Sequence, residues 1–319
     1  MIGVFDSGSG GLTVLKALRA ALPDQRFIYY GDHIHAPYGD RDADSIYNLT
    51  LSCLTQLFGL GCSLVVIACN TASATGLRRL QQTWLPVHFP HKRVIGVIVP
   101  MVEALTGVPW LTKHQTDAHR SIQKTVGVFA TQYTVHSQIF VEETQRRAPG
   151  IHVVQQACPD LVQLIEEDAR LPDLRHSVQH YVAQLQHSLN GAHLSAALLG
   201  CTHYPLIEDI FAEALPDHVE IFSQPKITAD SLVTYLSRHP EFSDTKESGI
   251  LFYSSSNPDN ITARAKRFFG DDKIRFEQLP PPHGASPAIQ VPGILSAHQC
   301  DTAPQIFTRN QKLHSDGVQ

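Results

Sequence analysis

The chain has 319 residues, a formal net charge of −5 and a 43% apolar fraction, a length that favours two α/β lobes over a single core. It carries no block of basic residues and no apolar run long enough to span a bilayer, which argues against nucleic acid and membrane as main partners; no targeting segment is legible, so a cytoplasmic protein is expected. Six cysteines, at positions 53, 62, 69, 158, 201 and 300, lack the density and spacing of a disulfide framework and are expected as reduced thiols.

In chain order, short runs rich in Val, Ile, Leu and Ala predict strands at Ile2–Phe5, Phe27–Tyr30, Leu64–Ala68, Val94–Val97, Thr125–Ala130, Ile151–Val154, Ala196–Leu199, Val219–Phe222 and Ile250–Tyr253. Apolar residues at intervals of three and four predict helices between them, at Leu12–Leu22, Ser45–Leu60, Thr75–Trp84, Val135–Arg147, Leu161–Asp168, Leu174–Leu189 and Ile207–Ala214. Alternation of this kind predicts an α/β protein of two similar, doubly wound lobes with mostly parallel sheets facing each other across a cleft. Residues 1–97 are assigned to the first lobe, 98–207 to the second, and 208–270 to a return that completes the first. The stretch 99–124 reads as a helix followed by an exposed loop at 112–123. Residues 271–319 form a C-terminal extension, which from 281 turns to Pro, Gly, Ser, His and Gln, a composition unable to build a packed face, and reads as a mobile tail.

Two segments repeat one design. Val65–Ser73 (VVIACNTAS) and Ala197–Leu206 (ALLGCTHYPL) each run from a buried strand into a cysteine followed by small hydroxyl, amide or imidazole side chains. The crevice beyond the carboxyl ends of parallel strands is where ligands bind, so Cys69 and Cys201 are placed for chemistry. Asp6-Ser7-Gly8-Ser9-Gly10-Gly11, Gly31-Asp32 and Thr131–Thr134 occupy the same strand-end position. Glycines there admit close backbone approach, and amides at the following helix start can hold a carboxylate. A thiol needs help to ionise from a helix N-terminus or an acid-base neighbour. Both cysteines are read as opening helices, with His203 placed to assist Cys201 and Asp6 to assist Cys69 from across the cleft. Two thiols on either side of one substrate carbon could remove a proton from one face and return one to the other, which is racemisation. No lysine lies in these motifs to anchor a pyridoxal Schiff base, so no cofactor is expected.

The ordered set Gly3–Leu12 (GVFDSGSGGL), Tyr30-Gly31-Asp32, Pro37-Tyr38-Gly39, Ala68–Ala72 (ACNTA) and Gly200–Leu206 (GCTHYPL) resembles bacterial glutamate racemase, over residues 2 to about 270. The resemblance implies a cofactor-independent isomerase interconverting L- and D-glutamate, the D form being a precursor of peptidoglycan. It implies Cys69 and Cys201 as the two catalytic bases and Asp6 and His203 as their auxiliary groups. Ser7, Tyr38, Gly39, Asn70, Thr71 and Thr202 match family positions that hold the substrate, and Glu166 matches the acid that orients the histidine, with Glu167 as its rival. A homodimer is compatible with this reading.

Two stretches depart from the family pattern. His33-Ile34-His35-Ala36 stands where many members have an arginine before Pro-Tyr-Gly, and Ser223-Gln224 where an aspartate is common. Two other functions compete with racemisation. One is a cysteine and histidine metal or redox site, against which the ligand spacing argues: His203 is the histidine beside a cysteine, and His176 and His180 have no evident partner. The other is a racemase scaffold with an added binding role.

Overall fold

The computed structural model describes residues 1–109, 123–244, 248–271 and 273–279. The expectation for 281–319 lies outside these residues, as does the expected loop at 112–123 apart from its last residue.

The strands are β1 (Ile2–Asp6), β2 (Arg26–Gly31), β3 (Leu64–Ile67), β4 (Arg93–Gly96), β5 (Lys124–Ala130), β6 (Ile151–Ala157), β7 (Leu194–Gly200), β8 (Glu220–Phe222), β9 (Gly249–Ser254) and β10 (Phe276–Gln278). They form a six-stranded sheet in the order β10-β9-β2-β1-β3-β4 and a four-stranded sheet in the order β6-β5-β7-β8. Every pairing is parallel. Every residue of β1 and β3 is buried, because helices cover both faces of these central strands and leave no solvent side for polar residues to alternate onto.

The helices are α1 (Gly11–Ala21), α2 (Ala43–Gly59), α3 (Asn70–Arg79), α4 (Leu85–His88), α5 (Ile98–Thr106), α6 (Gln132–His136), α7 (Ile139–Arg147), α8 (Leu161–Glu166), α9 (Leu171–Ser188), α10 (Glu208–Ala214), α11 (Gln224–Arg238) and α12 (Pro258–Phe269). Several starts are fixed by side-chain caps. Asp42 accepts from the Ser45 amide at 2.8 Å, and Thr131 accepts from the Thr134 amide at 3.4 Å. The helix expected over 135–147 divides in two where Gln138 takes a left-handed conformation at φ 56°. The helix expected over 75–84 begins five residues earlier, with its cap at Cys69, and passes into a π-helical turn at Leu80–Trp84.

Three features depart from the expected organisation. The segment 208–270 does not belong wholly to the first lobe: β8 pairs with β7 in the second sheet, and β9 then pairs with β2 in the first. A strand, a helix and a parallel neighbouring strand make the usual local crossover, so β7, α10 and β8 stay together. The extension assigned from 271 contributes β10, which pairs with β9 as an edge of the first sheet. The helices α11 and α12 were not among those expected. In α12 only Ile261, Ala265 and Phe268 are buried, so three anchors at helical spacing carry a mostly polar segment.

Candidate active site

The carboxyl ends of β1, β3 and β7 bring the Asp6–Gly11 turn and the two cysteine motifs to one place. Ser7 Oγ lies 3.4 Å from Cys69 Sγ. Thr202 Oγ1, from the second sheet, donates to Asp6 Oδ1 of the first at 3.3 Å, and Thr13 Oγ1 of α1 donates to the Thr202 carbonyl at 2.9 Å. Thr71 Oγ1 is 3.1 Å from Thr131 Oγ1, again one sheet's strand end against the other's. Arg78 of α3 donates to the buried Glu143 of α7 at 2.8 Å and ties the same two bodies further out.

Gly10 shows how tight this closure is. A Cβ added there would lie 2.4 Å from Thr202 Oγ1 and 2.5 Å from His203 Nδ1, distances that real side chains do not tolerate. Gly10→Ala is therefore expected to force the Asp6–Gly11 turn off the Thr202-His203 pair at a cost of about 1–3 kcal/mol, the usual range for overpacking. Thermal unfolding and steady-state turnover measured on the same preparation check this; a variant with unchanged melting temperature and turnover would refute it.

The two thiols are both buried, at 5% exposure each, yet their surroundings differ. Cys69 caps α3, its sulfur accepting from the Ala72 amide at 3.4 Å. Burial and then the nearby Asp6 charge push its pKa up to about 12, against the lowering effect of the Ser7 and Ala72 hydrogen bonds. Cys201 does not open an α-helix. It is followed by a turn and then a 3-10 segment, Tyr204–Ile207, so a helix N-terminus is not its source of help. What stands beside it is His203, whose Nδ1 is 3.7 Å from Cys201 Sγ.

His203 Nε2 pairs with Glu166 Oε1 at 2.7 Å. Burial alone would lower the His203 pKa, but its bonds to the Cys201 thiol and the Glu166 carboxylate outweigh this and hold it well above the ordinary value. For Glu166, burial would raise the pKa, yet the His203 hydrogen bond and the His203 and Arg264 charges draw it down to about 2. The neighbouring Glu167 points elsewhere, accepting from Gln163 at 2.8 Å in an exposed position, so the choice between the two acids is clear.

Asp6 is wholly buried and stands on β1, next to β3 in the same sheet as Cys69, rather than across the cleft from it. Burial raises its pKa, opposed by the His203 charge and by the Gly8 and Gly11 amides. Tyr38 is buried and its hydroxyl donates to Asp32 Oδ2 at 2.7 Å, so that its side-chain donor is already engaged within the protein. Gly39 lies beside Thr131, with an added Cβ falling 3.2 Å from the Thr131 Cβ.

Two further residues belong to the site. Gln224, at the start of α11, exchanges both amide hydrogen bonds with Asn70, at 2.8 and 2.6 Å, and so fixes which way the Asn70 amide faces. It follows β8 directly, so the strand-end rule that found the other motifs also points to it. His33, in one of the departing stretches, sits 3.2 Å from Ser9 Oγ through Nε2, and 3.0 Å from both the Gly31 carbonyl and Ser254 Oγ through Nδ1.

Burial lowers the His33 pKa from an ordinary 6.5 to about 4. A depressed folded-state value means that the ring's contribution is fully present above pH 6.5 and is lost as pH falls toward 4, where the unfolded chain binds the proton first. The loss across that window amounts to about 3 kcal/mol. Urea unfolding followed from pH 7 to 4 is expected to show this decline, and His33→Asn to flatten it; an equal slope in both proteins would contradict the assignment.

His176 and His180 lie exposed on α9, and among the described residues no group of three His, Cys, Asp or Glu side chains could hold a metal ion. The five described cysteines are free thiols, and no described helix is long and apolar enough to cross a membrane.

Comparison with known proteins gives these features a family. The Asp/Glu/Hydantoin racemase family profile matches residues 12–232. A glutamate racemase from Jannaschia sp. is 46% identical over 279 residues, spanning 87% of this chain and 99% of that protein. The crystal structure of a glutamate racemase from Bacillus anthracis is 28% identical, covers 88% of this chain and 98% of that one, and superposes with a TM-score of 0.75. A glutamate racemase from Francisella tularensis, solved in complex with D-glutamate, is 27% identical over 87% and 96% of the two chains, with a TM-score of 0.73. The chain belongs to the Asp/Glu/Hydantoin racemase family and, within it, is an isomerase grouped with the glutamate racemases.

Proposed function

We propose that this chain interconverts L- and D-glutamate in the cytoplasm without a cofactor, and that its D product supplies peptidoglycan synthesis. The observation that carries the reading is a pair of unlike half-sites converging from two sheets. Cys69 stands beside Ser7 and the Asp6 charge, and Cys201 beside the His203–Glu166 pair. Membership of the family supports glutamate as the substrate.

In the proposed step, a thiolate on one face takes the α-proton and leaves a carbanion at the α-carbon. Hydrogen bonds to the adjacent carboxylate hold the developing charge. The opposite thiol then gives its proton to the other face, so the product has inverted configuration and the two sulfurs have exchanged protonation states. Ser7, Asn70, Thr71, Thr202 and the backbone of Tyr38 and Gly39 are assigned to the substrate's carboxylates and amino group, with Gln224 holding Asn70 in orientation. Asp6 and His203 move protons at Cys69 and Cys201, and Glu166 keeps the imidazole aligned. One sulfur must be ionised and the other protonated, so turnover is expected to rise and then fall with pH.

Incubation with L-glutamate in deuterated water tests the proposal. The expected product is D-glutamate bearing one deuterium at the α-carbon, seen by chiral chromatography and mass spectrometry. Absence of both the D enantiomer and α-exchange would overturn it.

A further inference from the structure

One face of α12 closes over the His203–Glu166 pair. Residues 264, 267 and 268 are spaced to share a side of the helix, and all three reach this pair or its helix. Arg264 Nη1 donates to Glu166 Oε2 at 3.0 Å, while Glu166 Oε1 is already paired with His203. Arg267 donates to the carbonyls of Ile165 and Glu166 at the end of α8 and pairs with Asp168 just beyond it. Phe268, buried, meets the His203 ring edge-on, with centroids 5.5 Å apart and planes at 88°.

These contacts bridge the two sheets. The helix α12 connects β9 to β10 in the six-stranded sheet, whereas Glu166 follows β6 and His203 follows β7 in the four-stranded one. A carboxylate held at one oxygen by a histidine retains freedom to rotate about its own stem. Held at both oxygens, with the end of its helix clamped by a second guanidinium, it has one orientation to offer the imidazole. Cations at the C-terminal end of α8 also suit the negative end of its dipole.

We propose that Arg264 is a positioning residue for the racemisation: acting through Glu166, it holds the His203 imidazole in line with Cys201, so that closure of α12 from one sheet completes the acid-base chain of the other. The inference rests on the function proposed above for Cys201 and His203. The charged and titratable groups facing the pair include Asp6 at the end of β1, Tyr29 on β2, His33 after β2, Cys201 after β7, and Arg264 and Arg267 on α12.

Arg264→Ala keeps a strong helix former at a half-exposed position, so α12 itself is not weakened. Its kcat is expected to fall by between about tenfold and a hundredfold, the range for losing alignment at one remove from the reacting atoms, with KM changed far less. Arg264→Lys, which keeps a cation and a hydrogen-bond donor group, is expected to recover most of that loss. The second readout is the titration of the His203 imidazole by NMR, assigned by comparison with His203→Asn. If Arg264 only supplied charge, its removal would raise the His203 pKa, because a repelling cation is gone. If it positions Glu166, the carboxylate swings free and the His203 pKa falls. A fall in pKa with a lowered kcat supports the proposal; an unchanged or raised pKa, or wild-type kcat in Arg264→Ala, overturns it. A wild-type protein inactive on glutamate would count against the function reading, while the imidazole titration would still decide the role of Arg264.

Discussion

Cys69→Ser or Cys201→Ser is expected to lower racemisation by about 10²–10⁴-fold, the usual worth of a general acid-base group. The hydroxyl keeps the size of the thiol but cannot ionise near neutral pH, and both positions are buried, so the change falls on chemistry more than on shape. Each variant still carries one thiol on one side of the α-carbon. That thiol can remove a proton from one enantiomer and, after exchange with solvent, return a deuteron to the same face. In deuterated water, proton NMR is therefore expected to show loss of the α-signal in one enantiomer without inversion, and in the other enantiomer for the other variant. Exchange of the same enantiomer by both variants would show that the sulfurs do not stand on opposite faces.

The auxiliary groups are expected to separate by direction. Because enantiomers in water have equal free energies, kcat/KM must be equal in the two directions for every variant, so asymmetry is sought in kcat and in isotope effects. His203→Asn removes the proton partner of Cys201 and Asp6→Asn the charged neighbour of Cys69, each costing about 10²-fold or more. Whichever direction begins with abstraction by the weakened thiol becomes limited by that step. With α-deuterated glutamate it is expected to show the larger primary isotope effect, and the sensitive direction should reverse between the two variants. The Asp6 charge is also one of the influences that push Cys69 up, so Asp6→Asn is expected to move the rising limb of the pH profile toward acid. Identical isotope effects in both directions for both variants would remove the assignment.

Strands β1, β2, β3, β5 and β7 were the most legible because a strand covered on both faces has no polar alternation, and such runs stand out in a chain that is otherwise mixed. Helices α11 and α12 were harder to see. The buried side of α11 is largely polar or small, with Gln224, Thr228 and Ala229 beside Leu232 and Leu236, and α12 fully buries three residues, so each offers a faint stripe; α12 additionally lies close to a change in composition that reads as the start of a tail. The strand-end rule located Asp6, Cys69, Thr131 and Cys201, since in a parallel sheet the loops at one edge converge whatever their separation in the chain. The same rule misdescribed Cys201, because a strand end need not be followed at once by a helix. The Tyr38 hydroxyl's donation to the buried Asp32 was not legible either, since Tyr38 was assigned by family resemblance and not by the strand-end rule.

The chain order of its apolar runs and small polar strand ends determined the fold class, the sulfurs, and the residue types gathered around them. These are local properties, written within about ten residues of each motif. Only the tertiary structure decided that Glu166 rather than Glu167 meets His203, that Gln224 turns Asn70, that His33 fills the space beside Ser9, and that Arg264 spans the two sheets. Each of those pairings joins residues from 24 to 154 positions apart. A contact at such separation depends on how separate elements pack and on which of several polar neighbours a buried group can reach, and neither periodicity nor motif spacing carries that information.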